Sequence, residues 1–463
     1  MARLRELWEP QTRLLTIGLI LTITVVASES LAVITVMPVV ARDLGRLRLY
    51  GWVFTGFMLA SIIGVVAGGR ATDRRGPAAP FIAGLVLFSS GLAVAGLATS
   101  MQMLVAGRAL QGLGAGVVPS VAYASIGRRL PADLRSRMVA LISTAWILPG
   151  LIGPAISAEI AREFGWRWVF LGLLPVVGLT GSIAVPALVA LGRPDSTSAS
   201  EHSLVDAVRV TCGAGMILAG LTLGFGFRDI LIAVALVSAG LAVALPSLRR
   251  LLPAGTLIGR RGLPARILSR GLLTFTFFGT DSYVTLSIIA IRHASTLVAG
   301  YAVTGATVAW TLGAWTQARI GDTWEARKLI RVGFLIILLG IGGMALMLQP
   351  SVPVAEGIAA WTVAGLGMGL ANSPIMLLVL RQAQGGREGR ESASLNLADV
   401  LGTAAGIGVG GASVATHAAT DLRLGIGIAF AAAAVVAVVA LALTRRLPSG
   451  LTTTVSTAET ESA

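Results

Sequence analysis

Charge is scarce in this chain, and so are cysteine, lysine and histidine. Only 13% of its 463 residues are charged while 55% are hydrophobic, and mean hydropathy is +0.83. Soluble domains carry about 25% charged residues, so this composition needs a hydrocarbon solvent. The single cysteine, Cys212, lies in an apolar run, which excludes an intrachain disulfide and any metal site built on several thiolates. The single lysine, Lys328, follows Arg327 in a polar stretch, and no segment reads GxxxxGK[ST]. A P-loop is therefore excluded, and ordinary ATP-driven pumping with it. His202, His293 and His417 are far apart, and neither an HExxH sequence nor a nucleophile elbow occurs. These absences argue against an enzyme, and no cofactor and no metal is expected.

What is present is a series of long apolar runs. Broken at charged or Pro/Gly-rich turns, they give spans near 14–40, 50–71, 78–99, 102–126, 137–160, 168–191, 205–226, 229–247, 266–291, 296–319, 328–348, 354–380, 392–415 and 421–444. Each is read as a helix long enough, at about 1.5 Å per residue, to cross a core of roughly 30 Å. The short pair 205–247 is divided only by a turn at Phe227-Arg228-Asp229. The first run continues to Val40 with no small-residue cleavage pattern, so it reads as a retained spanning helix and not as a signal peptide. The stretch from Pro448, rich in Thr, Ser and Glu, reads as a disordered tail.

An even number of spans puts both termini on one side. Of the 36 Lys and Arg residues, 27 fall on that side, 8 on the other, and one, Arg108, inside a helix. This asymmetry marks the terminal side as cytoplasmic, and the long 248–266 loop with Arg249, Arg250, Arg260 and Arg261 belongs to it. The net charge of +14 is thereby assigned to orientation and to anionic headgroups; no nucleic-acid partner is expected.

Ionisable residues inside the spans are few: Glu29, Arg108, Asp281 and Asp399. A charge at bilayer depth costs at least ~2.5 kcal/mol, so such groups face a cavity or a partner. Glu29 and Asp281 each lie about 15 residues into their spans, roughly 22 Å along the helix. If the two halves are repeats, both acids reach a central cavity at one depth. Helix 1 runs outward and helix 4 inward, placing Glu29 and Arg108 about 8 Å apart in depth, within reach of an arginine side chain. The alternatives are a proton-coupling pair that opens and closes, or a permanent ion pair. Asp399 lines an inner vestibule or serves packing; Gln111 and Asn372 bind substrate or join helices. Trp146, Trp310, Trp315 and Trp361 line an apolar pocket or serve packing and the interfacial belts. Small-xxx-small glycine pairs at 64/68, 112/116, 220/224, 365/369, 402/406 and 406/410 predict close helix packing.

Three motifs stand in order. After span 2 the chain reads Gly69-Arg70-Ala71-Thr72-Asp73-Arg74-Arg75-Gly76; span 4 holds Arg108-Ala109-Leu110-Gln111-Gly112-Leu113-Gly114; span 5 holds Pro149-Gly150-Leu151-Ile152-Gly153-Pro154-Ala155-Ile156-Ser157. They resemble the G-x-x-x-D-R-x-G, R-x-x-Q-G-x-G and G-x-x-G-P-x-x-G-G signatures of the major facilitator superfamily. Glu29 nine residues before Pro38, and the run Trp166-Arg167-Trp168-Val169-Phe170, are similar to features of its fourteen-spanning drug:H+ antiporters. Ser157 stands where the third motif has glycine, Pro77-Ala78 replace the usual basic residues, and Glu29 replaces the commoner aspartate.

The resemblance implies an all-α major facilitator fold of two pseudo-symmetric six-helix bundles, 1–191 and 266–446. A linker with two extra helices, 192–265, would join them, and a tail would follow from 447 to 463. It implies a cytoplasmic gate at Gly69, Asp73, Arg74 and Gly76, with Gly69 permitting close contact, and an antiporter motif at Gly150, Gly153 and Pro154. Glu29, Arg108 and Asp281 would couple protons, and Glu29, Gln111, Asp281, Asn372 and Asp399 would line the substrate cavity. The expected function is export of amphipathic or cationic small molecules in exchange for protons, from a multi-pass protein of the inner membrane acting as a monomer. Lipid or siderophore export, solute symport, and a membrane sensor or scaffold are the alternatives.

Overall fold

The computed structural model describes residues 10–129, 138, 145, 147–192, 204–223, 227–320, 323–380 and 388–448. Among them are fourteen long helices. Six form the first bundle: α1 Pro10–Leu44, α2 Tyr50–Arg75, α3 Ala78–Gly96, α4 Met101–Arg129, α5 Ile147–Glu163 and α6 Arg167–Val189. An extra pair follows, α7 Leu204–Leu221 and α8 Phe227–Leu251. The second bundle holds α9 Leu263–Leu286, α10 Thr296–Ile320, α11 Ala326–Met347, α12 Val354–Leu380, α13 Glu388–His417 and α14 Leu422–Leu443. A π-turn, Ser287–Ile291, ends α9.

Helices are the only element found among the described residues, as hydrocarbon requires, because each helix satisfies its own backbone polar groups. Their many hydroxyls are satisfied in the same way. Thr22 donates to the Gly18 carbonyl at 2.7 Å, and Ser125 to that of Val121 at 2.7 Å. Asp421 caps α14 by accepting from the Leu424 amide at 3.1 Å.

Adding eight to a helix number converts one bundle's packing into the other's. The pairs α2/α4, α3/α4, α1/α5, α1/α6 and α3/α6 correspond to α10/α12, α11/α12, α9/α13, α9/α14 and α11/α14. The seams between the bundles obey the same rule, α2 against α13 and α10 against α5. Glycine sets the registers. A Cβ on Gly112 or Gly116 would lie 2.1 or 2.2 Å from the Phe57 or Ser61 carbonyl of α2, and one on Gly365 or Gly369 would lie 2.0 or 2.1 Å from that of Ala306 or Trp310 of α10. Hydrogen alone fits at these crossings.

The extra pair differs from the sequence reading at its turn. Phe227, Arg228 and Asp229 form the first turn of α8, which then runs on to Leu251. Gly213 and Gly240 bring α7 and α8 together, while the Thr211 hydroxyl of α7 donates to the Leu59 carbonyl of α2 at 3.0 Å. Much of α8 presents Leu231, Val234 and Leu241 outward, a lipid-facing surface.

Contacts across the bundle seam gather toward one end of the molecule. Tyr50 donates to the Ser282 carbonyl at 3.2 Å, Thr285 to that of Ile34 at 2.8 Å, and Arg48 to that of Ala415 at 3.4 Å. Gly51 and Gly411 pack backbone to backbone there, where a Cβ on Gly51 would lie 2.7 Å from the Gly411 Cα. This is the closed face. The other end, which carries the α2–α3, α8–α9 and α10–α11 connections, is the basic face.

Candidate transport site

Glu29 sits in the middle of α1, where Arg108 and Gln111 of α4 meet it. The sequence-predicted pair is in direct contact: the Arg108 guanidinium donates to Glu29 Oε1. Arg108 also donates to Gln111 Oε1 at 2.9 Å and to the Val53 carbonyl at 3.3 Å, and it lies 4.2 Å from the centre of the Phe57 ring. Gln111 donates to the same Glu29 oxygen at 3.4 Å. Arg108 and Gln111 are three residues apart in one helix, so both side chains reach α1 on a single face. The other carboxylate oxygen, Oε2, is buried and has no hydrogen-bond partner among the described residues.

Asp281 of α9 is also buried, and its neighbour is neutral. The Trp361 indole of α12 donates to Asp281 Oδ1 at 2.8 Å. Phe277, one turn before Asp281, stacks on Trp361 with ring centres 5.0 Å apart, and Trp310 meets Phe277 edge-on at 5.6 Å. Asp281 thus sits at the rim of an aromatic cluster.

These two acids occupy equivalent places. Arg108 precedes Gly112 by four residues and Trp361 precedes Gly365 by four, and each glycine opens the pair that packs its helix on α2 or α10. Each donor reaches an acid on the first helix of its own bundle. One plan therefore appears twice, with a guanidinium in the first bundle and an indole in the second.

A family model, the Major Facilitator Superfamily, matches residues 18–406. The chain belongs to the Major Facilitator Superfamily. Among curated relatives, a protein described as a probable multidrug-efflux transporter of Mycobacterium tuberculosis (strain CDC 1551 / Oshkosh) is 26% identical over 404 residues, covering 84% of this chain and 85% of that one. Among solved structures, a POT family transporter in complex with a thioalcohol-conjugated peptide superposes with TM-score 0.67 at 14% identity, over 94% of this chain and 96% of that one. The xylose transporter XylE from E. coli, in a partially occluded inward-open conformation, gives TM-score 0.63 at 14% identity over 94% and 97%. These two likenesses concern the fold.

The facilitator motifs stand at the ends and seams of the bundles. Gly76 ends α2 with φ 82°, a backbone conformation that favours glycine, and donates to the Thr72 carbonyl at 3.0 Å. Asp73 is half-buried and Arg74 exposed in that last turn. The close contact expected at Gly69 is not made in this conformation: a Cβ there would meet nothing within 4 Å. Gly69 lies on the basic face, and the bundles meet toward the closed one. In α5 the close approach falls on Gly150, whose Cβ would lie 2.0 Å from Thr307 Cγ2 of α10, and the Pro154 carbonyl faces Gly300 of the same helix. Gly153 has open space beside it.

Nearer the basic face, Arg270 of α9 joins two residues that the sequence left separate. It pairs with Asp399 of α13 at 2.9 Å and donates to Asn372 of α12. Arg270 stands in the second turn of α9 and is not among the ionisable residues singled out from sequence inside the spans. Of the tryptophans, Trp361 and Trp310 belong to the aromatic cluster, Trp315 is exposed on the outer surface, and Trp146 lies outside the described residues, as do His202 and the tail from residue 449.

Proposed function

We propose that this facilitator is a proton-coupled antiporter that exports amphipathic or cationic small molecules by alternating access, with its basic face and both termini in the cytoplasm of a cell whose inner membrane it spans. The observation that carries this reading is the doubled acid-and-donor arrangement, charged in one bundle and neutral in the other. Protonating Glu29 while Arg108 touches it leaves a buried cation without its counter-charge, at a cost of about 3–5 kcal/mol. One proton crossing ~100 mV supplies ~2.3 kcal/mol, so that step needs Arg108 to move first. Protonating Asp281 leaves only an indole N–H to be re-partnered. Asp281 is thus the simpler carrier, while Glu29 and Arg108 form a latch that opens as the bundles rock.

An acid beside stacked aromatic rings also suits a flat cation, which gains from the carboxylate and from the ring faces. Competition between that cation and a proton for Asp281 makes the exchange. A single proton at ~100 mV sustains roughly fifty-fold accumulation of a neutral substrate, since 1.4 kcal/mol is tenfold. The name of the mycobacterial relative supports efflux as the direction.

The test is substrate-triggered proton flux in proteoliposomes, with an aromatic cation such as ethidium as the probe. Ethidium is expected to move against its gradient when an opposing pH gradient is imposed. Asp281→Asn should lower that uphill flux at least tenfold while leaving downhill exchange measurable. Co-directional movement of probe and protons would replace antiport by symport. A normal pH profile in Asp281→Asn, with the loss appearing in Glu29→Gln, would transfer the carrier role to Glu29.

A further inference from the structure

At the basic face, the connection between α8 and α9 is held in a curl by three glycines with positive φ, Gly255, Gly259 and Gly262, around a short 3₁₀ turn, Thr256–Ile258. The curl presents its carbonyls to the end of α14: Arg446 donates to the Ile258 and Gly259 oxygens at 2.8 and 2.9 Å. Arg327, at the start of α11, donates to the Leu447 carbonyl at 2.8 Å. Between these elements lies a cleft of about 440 Å³ lined by Arg261, Arg266, Arg327, Arg445 and Arg446. The carbonyl bonds hold two of these guanidiniums in place without neutralising them. Arg266 turns inward to the Leu378 carbonyl at 2.8 Å and interacts with Glu391. Among the described residues, neither Arg261 nor Arg445 has an ion-pair partner. The nearby Glu325 lies 3.9 Å from Lys328.

Exposed apolar side chains accompany the arginines on the connections that carry them: Leu257 and Ile258 on the curl and Trp324, three residues before Arg327, are 44%, 69% and 47% exposed, and all three fall between candidate membrane spans. A free anion needs the arginines but gains nothing from those side chains. A lipid uses both, placing its phosphate among guanidiniums and its glycerol and acyl chains against the leucine, isoleucine and tryptophan. We propose that this cleft is a binding site for the headgroup of an anionic phospholipid, tying the α8–α9 connection to the second bundle. The site is independent of what the protein transports.

The experiment compares the full-length protein in nanodiscs of phosphatidylcholine alone and with phosphatidylglycerol added, reading lipid retained after delipidation and the melting temperature. Phosphatidylglycerol should be retained by the wild type and should raise its melting temperature. Arg261→Gln with Arg445→Gln should cut retention at least fivefold and abolish the shift. Arg249→Gln with Arg319→Gln removes the same charge from exposed positions on the same face and should change neither. Equal losses in the two double variants would overturn the site in favour of a diffuse surface charge. Inorganic phosphate reproducing the shift without lipid would replace the lipid by a free anion.

Discussion

At Glu29, Arg108, Arg270 and Asp399 the question is how a charge is compensated where water is sparse. Arg108 distributes itself over a carboxylate, an amide, a carbonyl and an aromatic face, so it retains partners when the carboxylate leaves. Arg270 has fewer, chiefly Asp399 and Asn372, and it links three helices through them. Removing either member of the Arg270–Asp399 pair should therefore cost more than removing both. In a double-mutant cycle of Arg270→Gln and Asp399→Asn, the coupling energy is expected at about 1–3 kcal/mol by chemical denaturation in detergent. Additive losses would mean that the two side chains act independently.

Among the helices, packing through glycine decides position to within a side-chain atom. Gly365 lies one turn after Trp361, and its α-carbon rests against the Ala306 backbone. Since the obstruction is a carbonyl, α12 must withdraw from α10 if a side chain is added. Gly365→Val is expected to destabilise the protein by about 1–3 kcal/mol, as overpacking does, and to displace Trp361 from Asp281, seen as a shift in tryptophan fluorescence. Gly342→Val, at an exposed α11 position with nothing within 4 Å, should melt with the wild type. Similar melting temperatures for the two variants would show that the α10–α12 crossing yields without cost.

For the whole molecule, the relevant quantity is which end of the seam is closed. Gly51 and Gly411 touch across it at the closed face, and Ser282 lies buried behind them. A side chain at residue 51 is a wedge. With Cys212→Ser and a reporter Ser282→Cys, the addition of Gly51→Leu should raise labelling by a membrane-impermeant maleimide, applied to the outside of cells, several-fold. Unchanged labelling would mean that the seam stays shut despite the wedge. Labelling seen only when the reagent is applied to inverted vesicles would reverse the proposed orientation.

The fold class was legible in the sequence because its causes are local and repeated. Each apolar run must be a helix in hydrocarbon, and the three motifs fell in order at spans 2, 4 and 5. Glu29 and Arg108 were identifiable for the same reason: an ionisable residue deep in an apolar run has few alternatives to a partner or a cavity. Which partner it takes is another matter, because helix rotation and crossing register are set by contacts hundreds of residues apart. Only the tertiary structure joined Asp281 to Trp361 and Arg270 to Asp399 and Asn372, and only it showed Arg108 and Trp361 in one role. Hydropathy measures how much apolar surface a helix has, whereas packing decides which neighbour each face meets.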